Sequence, residues 1–324
     1  MSSVARFTLG VDIGGTKVAA GLVDQDGAIL FQKRVPMPAR EDAAAGFAAV
    51  TSAINAVFSA HPDAHTSLTG IGMCAPGPLD PRTGVILNPP NVPCWRNFPL
   101  AAEVERAFGL RACVDNDANA AALAEAVWGA GVGYKNVFYA TLGTGIGTGI
   151  VFDRRIYHGR TGSAAEGGHL SIDYRGPQCG CGKRGCIEVL CSGPAIAARA
   201  RAKLLESERT SVMLTVSAGN QNQLTAETVA EAYRQGDAVA REVLEETADL
   251  LAVWIGNVID FLEPDVMIFG GGVAQVMSGF FDHIRAKLPR WTINAQCQEI
   301  PMLLAKYGSD AGIAGAAALC QTER

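Results

Sequence analysis

The sequence is most informative at first for what it lacks. It has no run of basic residues, and its formal net charge is −5, from 27 Lys and Arg against 32 Asp and Glu. That balance argues against a general nucleic-acid surface. Charged residues make up only 18% against 48% hydrophobic, which excludes a disordered composition. The opening residues, Met1 to Gly10, lack the basic stretch and continuous apolar segment of a secretory signal. No apolar run is expected to approach the roughly 20 residues that span a bilayer. The chain therefore reads as soluble and cytoplasmic, and its 324 residues suit two domains of ordinary size. A Walker phosphate loop, G-x-x-x-x-G-K-[ST], is missing from its glycine turns.

There are nine cysteines, an odd number with no export signal, so a disulfide framework is not expected. Cys74, Cys94, Cys113, Cys191, Cys297 and Cys320 are scattered and read as small buried hydrophobes. Cys179, Cys181 and Cys186 form a cluster ten residues downstream of His169. One imidazole and three thiolates make a tetrahedral site suited to zinc, and the intervening glycines permit tight chain reversals. Four protein ligands leave no open position, so such a zinc is structural. It would fix Glu166 and Glu188 on either side of one loop, as hydrogen-bond acceptors for a polyhydroxylated ligand.

Phe7 to Asp12 reads as a strand, Gly14-Gly15-Thr16-Lys17 as a tight turn, and Val18 to Val23 as a returning strand. The pattern recurs 129 positions on, where Gly14 falls on Gly143 and Asp24 on Asp153. Two related α/β halves, each opening with a glycine hairpin, are one reading of this; chance similarity of two Gly-rich hairpins is the other. Helices are expected over about Ala43 to Ala60 and Ala238 to Leu262, and the polar stretch from about Ser207 to Asn222 reads as a loop. Glycine lets backbone N–H groups approach phosphate oxygens closely, so two facing turns can hold a triphosphate, with Asp12 placed to meet a metal-bound phosphate. Gly270 to Gly272, after a strand and before a helix, is a third such place. Asp115 or Asp117, in Val114-Asp-Asn-Asp-Ala-Asn119, is a candidate proton acceptor for an alcohol. Helix capping explains the same residues, and the sequence alone does not choose.

Over essentially its whole length the chain resembles the ROK family of repressors and kinases. The motifs carrying this are Asp12-Ile-Gly-Gly-Thr-Lys17, Asn116-Asp117-Ala-Asn119, Leu142-Gly-Thr-Gly145, Glu166-Gly-Gly-His169 and Cys179-Gly-Cys-Gly-Lys-Arg-Gly-Cys186-Ile-Glu188. The resemblance implies an α/β, two-domain hexokinase/actin/heat-shock ATPase (ribonuclease H-like) fold with an interdomain cleft. It implies a smaller domain of 1–117 plus about 307–324, and a larger one of 118–306 carrying the zinc loop at about 166–188. It also implies an ATP- and magnesium-dependent sugar kinase with Asp117 as general base. Asn91, Asn116, Glu166, His169 and Glu188 are the implied sugar contacts. Asp12, Gly14, Gly15, Thr16, Lys17, Thr144 and Gly145 would face magnesium and the phosphates, with Gly271 and Gly272 beside the nucleoside. Glucose is the first expectation; N-acetylmannosamine, N-acetylglucosamine, fructose and allose are alternatives, and some relatives accept polyphosphate. A repressor is disfavoured because the first hairpin begins by residue 8, and a non-catalytic sensor because Asp117 is present. Family members are often dimers or tetramers.

Overall fold

The structure, a computed structural model, describes residues 7–206 and 210–321, without the side chains of 64–66. β1 (Phe7–Ile13) and β2 (Lys17–Val23) form an antiparallel hairpin that closes on the Ile13–Val18 pair. β3 (Ile29–Pro36) adds antiparallel to β2. α1 (Ala43–Ala60) starts at the Asp42 cap, whose carboxylate accepts the Ala45 N–H at 2.7 Å. β4 (Leu68–Ala75) then runs parallel to β1. After a small hairpin of β5 (Leu79–Asp80) and β6 (Val85–Ile86) come α2 (Leu100–Phe108), β7 (Ala112–Asn116) parallel to β4, and α3 (Asp117–Trp128). The sheet order is β3-β2-β1-β4-β7.

The chain continues through β8 (Asn136–Leu142), β9 (Ile146–Phe152) and β10 (Arg155–Ile156). Helices α4 (Ile187–Cys191), α5 (Gly193–Glu206), α6 (Val212–Val216), α7 (Ala226–Arg234) and α8 (Ala238–Leu262) follow. β11 (Val266–Gly270), α9 (Gly272–Met277), α10 (Phe281–Lys287), β12 (Met302–Leu304) and α11 (Ala311–Gln321) complete it. The second sheet has the order β10-β9-β8-β11-β12. β8 and β9 begin and end 129 residues after β1 and β2, position for position. In both sheets a three-stranded antiparallel meander is followed by two crossover strands, so the two halves share one topology and the internal match extends beyond its glycines.

By contacts the chain forms two compact units. The first runs up to Tyr139 and adds Gly149–Ala165 and the residues from Ala305 on; the second is Ala140–Thr148 with Glu166–Leu304. α3 falls within the first unit, where it packs against α11. α11 lies unusually close to its neighbours. A Cβ on Gly72 would sit 1.7 Å from the Ala316 carbonyl oxygen, and one on Gly315 would sit 2.4 Å from the Ala120 carbonyl carbon. Glycine and alanine are therefore required along this seam, which accounts for the small-residue composition of both helices.

Two expectations need correction. The polar stretch near 207–222 is not all loop: α6 forms there on the Ser211 cap, buries Met213, and is followed by a 3-10 turn at Gln221–Gln223. Residues 207–209 of that stretch lie outside the described residues. In addition, α1 contains 18 residues without a charge and is long and apolar enough by composition to cross a membrane. Its Val50, Ala53, Ile54 and Val57 are instead buried in the core of the first unit with Leu9, Val11 and Leu22, as in a core helix.

Candidate active site

In the first unit a cavity of about 640 Å³ is lined by Asp12, Gly14, Gly15, Thr16, Asn91 and Asp117, among others. The β1–β2 turn is closed by the Gly14 N–H donating to the Lys17 carbonyl at 2.9 Å. A Cβ on Gly15 would lie 2.5 Å from the Asn91 carbonyl oxygen, so only glycine lets the turn approach the 88–93 loop this closely. That loop is anchored by Trp95, which is fully buried, stacks on Phe98 at 5.0 Å and donates from Nε1 to the Ala43 carbonyl at 3.2 Å. Asp12 has no room on the side of α11 except that offered by Gly312, where a Cβ would meet its Cγ at 2.5 Å. Cys74 Sγ lies 3.7 Å from Asp12 Oδ1. Burial raises the Asp12 carboxyl above its ordinary value, while the Cys74 hydrogen bond and the charges of Lys17 and Arg34 pull it back. Lys17 itself is exposed at the start of β2, and Gly312 and Cys74 carried no motif by which the sequence could have flagged them.

The structure separates the two candidate aspartates. Asp117, the first residue of α3, is on the cavity wall with Asp12. The residue is exposed in this cavity, yet protein encloses much of its carboxyl. That enclosure raises it above its ordinary value, the Ala118 N–H lowers it, and the charge of Asp12 raises it further. Asp115 is 3% exposed and fully engaged elsewhere. Its Oδ1 accepts the Asn116 N–H at 2.7 Å and Asn119 Nδ2 at 3.1 Å, and its Oδ2 pairs with His158 Nε2 at 2.5 Å. The capping role belongs to neither aspartate. Asn116 is the N-cap, with Oδ1 accepting the N–H groups of Ala118 and Asn119 at 2.9 and 3.3 Å. His158 was missed because a lone histidine 43 residues from its partner leaves no local signature.

His169 and the three clustered cysteines converge in the second unit, with their ligand atoms all within 4.8 Å of one another. A tetrahedral zinc with bonds of about 2.3 Å to sulfur and about 2.0 Å to nitrogen requires edges of about 3.7 and 3.5 Å. Cys181 and Cys186 Sγ are 3.7 Å apart, and Cys179 Sγ is 3.6 Å from His169 Nδ1. The donor set and its spacing therefore fit the metal, and all nine cysteines are free thiols. The loop is shaped for this by bridges between Ser171 and Cys186 and between Gln178 and Arg184. Gly185 has φ +61°, and a Cβ there would meet the Asp173 carbonyl oxygen at 1.7 Å. With Nδ1 turned to the thiols, His169 keeps Nε2 for another partner.

Glu188 Oε2 accepts the Ile146 N–H at 2.9 Å and leaves no space for a side chain at Gly145, where a Cβ would lie 2.6 Å from it. The second hairpin turn and the end of the cysteine loop are thus locked together. Gly167, next to Glu166, donates to Thr148 Oγ1 at 2.8 Å and accepts from Trp254 Nε1 at 3.0 Å, while Glu166 remains exposed. Thr144 and Gly272 line a cavity of about 550 Å³ with Gly143, Pro194 and Glu227. Gly271 shapes the backbone there: its φ is +87°, and a Cβ would sit 2.3 Å from the Leu142 carbonyl oxygen.

Fold and site define a two-sheet α/β protein whose two glycine hairpin turns stand at corresponding places in its two halves. The chain belongs to the ROK family, whose model matches residues 8–323. A glucokinase of Streptomyces coelicolor is 35% identical over 97% of this chain and 98% of its own length. The N-acetylmannosamine kinase of Shigella boydii is 31% identical over 98% of this chain and 99% of its own. Among solved structures, a ROK family glucokinase from Streptomyces griseus in complex with glucose and AMPPNP has a TM-score of 0.80 at 36% identity, covering 97% of this chain and 99% of that one.

Proposed function

We propose that the protein is an ATP-dependent hexose kinase that converts glucose to glucose 6-phosphate, with Asp117 as general base. The observation that carries this reading is the single cavity in which Asp117 faces Asp12, the Gly14–Thr16 turn and Asn91. Asp117 accepts the proton of the attacking hydroxyl as that oxygen bonds to the γ-phosphorus and the bond to the ADP oxygen breaks. A carboxylate held above its ordinary value by burial is a stronger base for that transfer. Asp12 is the residue for a magnesium ion, which when bound offsets phosphate charge. The backbone N–H groups at Gly14 and Gly15, with Thr16 and Lys17, and at Thr144 and Gly145 are assigned to phosphate oxygens. Gly271 and Gly272 are assigned to the nucleoside.

Asn91, Asn116, Glu166, His169 and Glu188 are assigned to sugar hydroxyls. His169 and the three cysteines are assigned to a structural zinc, whose contribution is a rigid loop. His169 Nε2 then carries the link from that loop to the sugar. N-acetylmannosamine is a second reading, favoured by the relative at 31% identity. A cytoplasmic homodimer or homotetramer completes the proposal.

The test is a coupled ADP-release assay with ATP and magnesium against glucose, N-acetylmannosamine, N-acetylglucosamine, fructose, mannose and allose. Glucose is expected to give the highest kcat/KM, and preference for another sugar replaces it. Asp117→Asn is expected to retain sugar binding and lose about 10²- to 10⁴-fold in turnover. Near-normal turnover in that variant removes Asp117 from the mechanism.

A further inference from the structure

The first unit contains a second cavity, of about 330 Å³, that shares no residue with the one around Asp117. Its wall includes Asp115, His158, Arg82 and Arg155, together with apolar surface from Leu123 and Ile156. The volume falls within the usual range of small-molecule sites. Its polar groups are one-sided. Among the described residues the only carboxylate on the wall, Asp115, has both oxygens occupied, by Asn116, Asn119 and His158. Arg82 is already paired with Asp80 at 3.1 Å. The Arg155 guanidinium and His158 Nδ1 have no partner among the described residues. With Nε2–H given to Asp115, His158 Nδ1 is a donor only in the protonated ring, a form that the Asp115 hydrogen bond favours. In that form the cavity offers two unspent donor groups, no unspent carboxylate among the described residues, and an apolar wall.

We infer that this cavity is an effector site for a small organic anion, its phosphate or carboxylate head held by Arg155 and His158 and its apolar body lying against Leu123 and Ile156. The guanidinium supplies paired N–H donors suited to either head group. The site also has a route to the chemistry. His158 holds Asp115, and Asp115 holds the Asn116 backbone and the Asn119 side chain, which open the helix that begins with Asp117. An anion on His158 thereby alters the hold on the first turn of α3. Binding is independent of the kinase reading; only the effect on turnover rests on it.

The probe is phenyl phosphate, with inorganic phosphate (head alone) and phenol (body alone) as comparisons, titrated calorimetrically into the full chain. Phenyl phosphate is expected to bind more tightly than either fragment, to keep its affinity in saturating AMPPNP, and to lose ten-fold or more in Arg155→Ala. Arg155 is exposed on a two-residue strand, so this variant leaves the core untouched. His158→Gln, which keeps a donor toward Asp115, is expected to weaken binding as well. Binding abolished by AMPPNP would place the probe with the nucleotide, and binding unchanged in Arg155→Ala, or absent altogether, would equally overturn the site. In the ADP-release assay at saturating substrates, phenyl phosphate should change kcat at least two-fold in the parent and not in Arg155→Ala. Unchanged kcat with binding intact refutes the effector role. A protein that turns over no sugar but binds the probe as described refutes the kinase reading instead.

Discussion

Glu125 is a place where a single substitution should cost the fold heavily through hydrogen bonding alone. It lies in the last turn of α3 and is completely buried. A carboxylate at a helix C-terminus opposes the helix dipole. Here it is retained by three backbone N–H groups: Oε2 accepts from Ala130 at 2.8 Å, and Oε1 from Lys306 at 2.8 Å and Tyr307 at 3.0 Å. It thus ties α3 to the segment leading into α11. In Glu125→Ala, water can reach Lys306, which is exposed, but only poorly Ala130 and Tyr307, which are half-buried. Two donors left without acceptors cost about 1–3 kcal/mol each, so the expected loss is roughly 2–6 kcal/mol. Urea unfolding followed by intrinsic fluorescence measures it. The same geometry predicts a coupling. A Cβ on Gly129 would lie 2.0 Å from Glu125 Oε2, so Gly129→Ala should cost less in the Glu125→Ala background than in the parent, by about 1 kcal/mol or more. A loss below about 0.5 kcal/mol for Glu125→Ala, or strict additivity of the pair, would refute this reasoning.

Three further outcomes are expected. Because its surroundings raise Asp117, its charged form is disfavoured by the fold; stability is lost as pH rises from 3.8 through the higher folded value. Asp117→Asn should accordingly have a higher Tm than the parent at neutral pH, an advantage that vanishes in strong acid, while the acid limb of parental kcat/KM lies above the ordinary carboxylate value. Cys181→Ser should retain well under one equivalent of zinc by mass spectrometry of the metal and make the 170–186 loop more sensitive to protease; protein that never carries zinc would contradict the metal assignment. Gly15→Ala must push the hairpin turn away from the Asn91 carbonyl, and should lower kcat/KM ten-fold or more with little change in Tm; an unchanged kcat/KM would show that this contact does not matter for turnover.

The parts legible in the sequence were those with short-range signatures. The hairpin turns at Gly14 and Gly143 announced themselves by glycine between alternating apolar residues, and the gathering of His169 with three cysteines by their closeness within eighteen consecutive residues. The choice between Asp115 and Asp117 was not legible, because it depends on which face of one strand end meets His158 and which meets Asp12. Glu125 was hidden for the same reason: nothing in an alanine-rich helix says that its carboxylate will meet a backbone some 181 residues away. That the alanines of α3 answer to Gly315 on α11 was not legible either, because the two helices lie far apart in the chain.

That last helix bears on how the chain is made. The first unit joins segments made well before the second unit to one made after it, since α11 fills the space against β1, β4 and α3. Until residues 311–321 emerge, Gly10 and Gly72 face water where backbone should lie, and the first sheet has one face bare. The second unit, continuous from Glu166 to Leu304 apart from one earlier segment, has no such wait. Synthesis therefore imposes an order opposite to that of the sequence, with the N-terminal sheet the last part to close and the stretch of chain most in need of protection while it waits.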